Sequence, residues 1–171
     1  RADIVSVANS PAGGALQVDL GKEVADNGEP IEKRLGVGFQ WKPSDLQQAS
    51  AACLSYSMFI PEGFEFGPGG RLPGLMGGAA EEPADGKSAF STRFAWTEKG
   101  DLNVHGDVPG APSGRGITNE RRSPELPRGR WVKLEQEVVL NVPGQKNGIM
   151  RVWMDGALVL ERRNVAYRKD A

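Results

Sequence analysis

Short runs of alternating polarity, cut apart by glycine and proline, dominate this chain and leave little room for anything but β structure. Alternation is read at Ala15–Leu20, Val37–Trp41, Cys53–Ile60, Ala89–Trp96, Leu102–His105, Trp131–Leu140, Met150–Met154 and Ala157–Glu161. These segments suit two packed antiparallel sheets. With 23 Gly and 12 Pro in 171 residues, breakers are frequent enough to end each run after a few residues. The helical signal is confined to Ser44–Ala52, where a serine can cap a short turn. The pair Asp155-Gly156 tolerates positive φ and predicts a tight type I′ hairpin between its flanking runs. Further turns are expected at Gly100-Asp101 and Asn147-Gly148. Pro61–Lys87 and Gly106–Arg130 are read as long irregular loops.

A chain of this length fits one domain with its own core, taken as residues 1–171. Its 21 Lys+Arg against 22 Asp+Glu give a formal charge of −1, so no global field draws it to nucleic acid or to an anionic membrane. Any polyanion must be met by a local group of bases. One Cys (Cys53) and one His (His105) exclude an internal disulfide and any Cys/His metal site. No Asp-x-Asp-x-Asp-Gly loop is present either, so no metal is expected. No apolar run approaches the roughly 18 residues that span a bilayer. The opening Arg-Ala-Asp-Ile lacks the apolar region of a signal peptide, so a soluble and already processed chain is expected.

Chemistry-bearing residues gather on two neighbouring runs. In Ala89–Trp96, Phe90, Thr92, Phe94 and Trp96 point to one side, while Ser91 and Arg93 point to the other. In the next run Leu102 and Val104 oppose Asn103, His105 and Asp107. Paired with their apolar sides inward, the two runs would present Ser91, Arg93, Asn103, His105 and Asp107 on one sheet surface. The plain alternative is a solvated outer face without function. Trp131–Leu140 adds Lys133 beside Glu135 and Glu137. Arg151, Trp153 and Asp155 form another same-side set, in which the Trp either stacks on a sugar or is half-buried core. The Gly67–Gly78 stretch lacks the spacing of a phosphate loop, but Leu72, Pro73, Leu75 and Met76 are apolar enough to pack and to hold Arg71 in place. No Gly-x-Ser-x-Gly elbow surrounds Ser91.

Several of these stretches, in order, resemble polysaccharide lyase family 14, the alginate-lyase-like group, and more distantly the glucuronan lyases. They are Leu54-Ser-Tyr-Ser-Met-Phe-Ile-Pro-Glu-Gly-Phe-Glu-Phe, Gly69-Gly-Arg-Leu-Pro-Gly-Leu-Met-Gly-Gly and Phe90-Ser-Thr-Arg-Phe-Ala-Trp. Gly129-Arg-Trp, Val139-Leu-Asn-Val-Pro-Gly-Gln-Lys-Asn-Gly and Val152-Trp-Met-Asp-Gly complete the match, which spans residues 53–157. The resemblance implies a β-jelly-roll sandwich whose concave sheet binds an acidic polysaccharide and cleaves it by β-elimination, without a cofactor. It also implies a secreted or periplasmic protein, and it leaves the oligomeric state open. Arg71 stands where the family usually has Lys, and Ser91 and Arg93 match. The family's catalytic Tyr-x-Tyr pair falls on His105 and Asp107, and the resemblance implies a final Phe-containing strand after the Asp155-Gly156 hairpin, which is either missing from this sequence or replaced by a sheet completed differently.

Elimination needs the proton beside a uronate carboxylate to leave, so the carboxylate charge must be neutralised, a base must take the proton and an acid must protonate the departing oxygen. Arg71 and Arg93 suit the first task, because the guanidinium fork meets a carboxylate with two hydrogen bonds. An imidazole can both accept and return a proton, so His105 suits the others. Ser91, Asn103, Asp107 and Lys133 are the candidate substrate contacts. Asp107 either orients the imidazole or faces solvent. Two functions therefore stand: a lyase acting on a uronate polymer, and a non-catalytic carbohydrate-binding sandwich that kept the cleft.

Overall fold

The computed structural model describes residues 2–7, 9–20, 36–78, 89–109 and 123–168. They fall in two compact units, Arg1–Gln47 and Gln48–Ala171.

In the first unit, strands β1 (Ala2–Ser6) and β2 (Gly14–Val18) form an antiparallel hairpin, with Ala2 opposite Val18 and Ser6 opposite Gly14. The turn at Ser44–Leu46 is a short 3₁₀ helix, and the Ser44 hydroxyl bonds the Asp45 carboxylate instead of capping the backbone. Val37–Trp41, expected as a strand, is not one. Its alternation has no partner strand to satisfy, and Phe39 and Trp41 stay 77% and 80% exposed.

The second unit is an antiparallel sandwich. One sheet has the order β3 (Ala51–Phe59), β7 (Trp131–Val139), β8 (Gly148–Met154), β9 (Ala157–Val165). The other runs β4 (Gly70–Gly78), β5 (Ala89–Trp96), β6 (Leu102–Asp107). The inward faces are those the alternation assigns: Val132, Leu134, Val138, Met150 and Val152 from one sheet meet Phe90, Phe94, Leu102 and Val104 from the other. Two polar side chains bridge the layers inside this core. Thr92 donates to Gln136 Oε1 at 3.1 Å and both are fully buried, so neither hydroxyl nor amide oxygen is left without a partner.

Asp155 and Gly156 turn with φ of 50° and 80°, both positive, as a type I′ hairpin requires. The turn expected at Asn147-Gly148 lies instead at Pro143-Gly144. Gly148 already opens β8, and the Asn147 side chain accepts the Val142 N–H to close the loop.

The largest departure from the sequence reading is β4. The Gly-rich stretch expected to be an irregular connector is a full strand at the edge of its sheet. Its glycines face aromatics: Gly70 pairs with Trp96 and Gly77 with Phe90 across β4–β5. A Cβ at Gly77 would lie 2.6 Å from the Phe90 ring, so the missing side chain is the space the ring occupies. Gly77→Ala is therefore expected to lower stability by about 1–3 kcal/mol through overpacking, measured by thermal unfolding; an unchanged melting temperature would contradict it.

Candidate functional site

Register fixes which side chains share the outer face of β4–β5–β6, because directly opposed residues in an antiparallel pair point the same way. Three rows cross the sheet: Met76–Ser91–Asp107, Gly74–Arg93–His105 and Arg71–Ala95–Asn103. Six of the seven candidates, Arg71, Ser91, Arg93, Asn103, His105 and Asp107, are thus brought to one surface from three successive strands. Lys133 is not among them. It sits on the outer face of the other sheet, where its ammonium pairs with Glu135 at 2.8 Å, because the odd-numbered positions of β7 point away from the core.

This surface is more sheltered than a plain solvated face. Ser91 is 5% and Ala95 2% exposed, Arg93 is half-buried, and only Arg71, Met76 and His105 on the flanking strands are open to solvent. The Ser91 hydroxyl donates to Asp107 Oδ2 at 3.4 Å, tying the central strand to β6. Ser123 Oγ donates to Asn103 Oδ1 at 3.0 Å, which leaves the Asn103 amide N–H groups to act as donors. Beyond Ser123 a cavity of about 420 Å³ is lined by Asp101, Pro124, Glu125 and Val159.

Arg71, Arg93 and His105 have no hydrogen bond or ion pair among the described residues. Elsewhere the arginines are spoken for: Arg151 bonds Glu137 at 2.6 Å and Glu161 at 3.2 Å, and Arg130 bonds Asp155 at 2.7 Å. That network raises the Arg151 guanidinium pKa, chiefly through its bond to Glu137, and lowers that of the Asp155 carboxyl, chiefly through the Lys133 N–H. It also accounts for the Arg151, Trp153 and Asp155 set, whose Trp is half-buried on the outer face of the four-stranded sheet. A half-buried guanidinium with no ion pair among the described residues, such as Arg93, is suited to an external anion.

The sequence reading missed Met76 on this face, as well as Tyr56 and Gln136, which contact β4 from behind it. Nothing local signals them. Glycines hid the alternation of β4, and both polar residues act across the sandwich.

The family model described as Polysaccharide lyase 14 matches residues 9–171. No curated protein sequence matches the chain. Similar solved structures include the marine PL-14 alginate lyase from Aplysia kurodai, with a TM-score of 0.72 and 22% identity over 98% of this chain and 72% of that one. The endo-β-1,4-glucuronan lyase from the fungus Trichoderma reesei gives 0.57 and 18% over 98% of this chain and 69% of that one. A mutant of alginate lyase Aly36B in complex with alginate tetrasaccharide gives 0.60 and 15% over 70% of this chain and 53% of that one. At these identities the likeness is one of fold, an antiparallel β-sandwich of the jelly-roll type. Among the described residues no helix is long and apolar enough to cross a membrane.

Proposed function

Since the chain belongs to the polysaccharide lyase 14 family, we propose that the outer face of β4–β5–β6 binds a uronate-containing polysaccharide and cleaves it by β-elimination. The observation that carries this reading is the convergence of Arg71, Arg93 and His105 on one face with no partner among the described residues. Arg93, held at the centre, meets the uronate carboxylate and withdraws its charge, and Arg71 and the Asn103 amide meet the same or a neighbouring carboxylate. The adjacent C–H then becomes acidic enough for a base of ordinary strength. His105, directly across from Arg93, takes the C5 proton. The C5–H electron pair becomes the new C4=C5 double bond, the C4–O4 bond breaks, and the imidazolium returns its proton to O4. Asp107 and Ser91 fix the floor beneath the sugar. A polymer substrate places this work outside the cytoplasm, in a secreted or periplasmic protein.

Incubation with alginate or a polyglucuronate should generate unsaturated chain ends, read as rising ultraviolet absorbance. Binding without any such rise across a uronate panel would move the function to a non-catalytic binding module, the reading favoured by His and Asp at the positions where the family resemblance places its Tyr pair. For either function, Arg71→Ala and Arg93→Ala should weaken acidic oligosaccharides by up to about 2–5 kcal/mol, less where water reaches the guanidinium. Added salt should weaken these ligands and spare neutral ones. Parent-like affinity in both variants, measured by calorimetry, would remove the face from consideration.

A further inference from the structure

The extra residue in β4 decides which way Arg71 points. Arg71 pairs with Ala95 and Gly74 with Arg93, so four residues of β4 span the length of three on β5. This is a β-bulge at Leu72 and Pro73, and proline suits it because the bulged position gives up a ladder N–H. Counting back from Gly74 without the bulge would put Leu72 opposite Ala95 and Arg71 opposite Trp96, which packs against the core. A slip of one residue exchanges faces, so the cation would point inward and a leucine would take its place on the outer surface.

Three side chains of the sandwich interior bond the backbone at this irregularity. Tyr56 of β3 donates its hydroxyl to the Pro73 carbonyl at 3.4 Å. Gln136 Oε1 of β7 accepts the Leu75 N–H at 3.3 Å, and the single Thr92 hydroxyl proton is shared between Gln136 Oε1 and the Leu75 carbonyl, 3.0 Å away. Gln136 is 1% exposed and Leu75 is half-buried, so an unmet backbone group at Leu75 would be costly, while the largely buried Tyr56 ring reaches out to the exposed Pro73 carbonyl. We infer that Tyr56 and Gln136 are positioning residues that clamp the β4 bulge from the facing sheet and thereby hold Arg71 on the outer face with Arg93 and His105. Its bearing on function rests on the uronate-binding reading of that face; its bearing on structure does not.

The test exploits the chain's one native thiol. In a Cys53→Ser background, the thiol of Arg71→Cys should react several-fold faster with a soluble disulfide reagent than that of Leu72→Cys. Tyr56→Phe and Gln136→Met, which retain shape, should narrow that difference and weaken binding of an alginate tetrasaccharide toward the level of Arg71→Ala. Deletion of Pro73 leaves three residues of β4 against three of β5, so Arg71 stays opposite Ala95 with no bulge left to clamp. In the deletion background Arg71→Cys should therefore keep its faster reaction, and Tyr56→Phe and Gln136→Met should no longer change it, which a general loss of stability would not reproduce. Unchanged reactivity in both clamp variants of the undeleted chain, or an equal effect of those variants with and without Pro73, overturns the inference. If the clamp variants narrow the difference in reactivity while Arg71→Ala binds like the parent, the bulge stands and the uronate reading of the face falls.

Discussion

His105→Ala is expected to reduce kcat by about 10²–10⁴-fold, the range supplied by a positioned general acid or base. The ring lies opposite Arg93 in the β5–β6 register, so on the proposed reading of this face it stands beside the carboxylate whose neighbouring proton must leave. Its contribution is made mostly in the transition state, because proton transfer is incomplete before it and finished after it. Oligosaccharide affinity should therefore change by no more than a few-fold, on the order of what uniform contacts contribute. The measurement pairs initial rates of unsaturated-end formation with calorimetric binding of the same oligosaccharide. A parallel loss of turnover and affinity would make His105 a binding group and leave the base to be found elsewhere on the face. An unchanged kcat would remove it from the chemistry.

Asn141→Leu should cost about 3–5 kcal/mol of folding stability, because the side chain it removes satisfies five backbone groups at once. Asn141 is completely buried. The two N–H groups of its Nδ2 are shared among the carbonyls of Val142, Gln145 and Arg168, at 3.0, 2.9 and 2.8 Å. Its Oδ1 accepts the N–H groups of Tyr167 and Arg168 at 2.7 and 3.0 Å. This single amide thus locks the segment after β9 onto the loop before β8, and seats Tyr167, whose ring lies 4.8 Å from that of Phe90. Leucine matches the volume but leaves these donors and acceptors unmet, and the buried Tyr167 N–H then costs more than its bond was worth in water. Urea unfolding monitored by tryptophan fluorescence gives the value, and a loss below about 1 kcal/mol would show that water or the relaxed loop replaces the amide. Because Phe90 precedes Ser91 on β5, loosening Tyr167 should also raise the temperature sensitivity of ligand binding.

Most strands were legible from alternation alone. Ala89–Trp96 was placed to the residue, and the aromatic face of β5 was correctly separated from the face carrying Ser91 and Arg93. The Asp155-Gly156 turn was equally plain, since its backbone needs positive φ that few residue pairs accept. Alternation is a local property, so it names the two faces of a strand without saying what lies against either. That is why Lys133 looked as eligible as Arg93 and sits on the opposite side of the molecule. The same limit hid the sheltering of Ser91 and Ala95, which a solvated-face reading would have left open.

What the sequence alone determined was therefore the β class, the sandwich core and the placing of Arg93 and His105 on the same face of two neighbouring strands, all set by side-chain period and short-range turn chemistry. The tertiary structure decided β4. Glycine has no side chain with which to show a period, so Gly70–Gly78 reads as a loop until Phe90 and Trp96 are seen to fill the spaces its glycines leave. It also decided the face of Arg71, which depends on a one-residue bulge bonded by Tyr56 and Gln136 from another sheet. Register across the sandwich is fixed by contacts that exist only once the layers have packed, and whether one residue is taken up as a bulge decides whether a charge faces the core or the site.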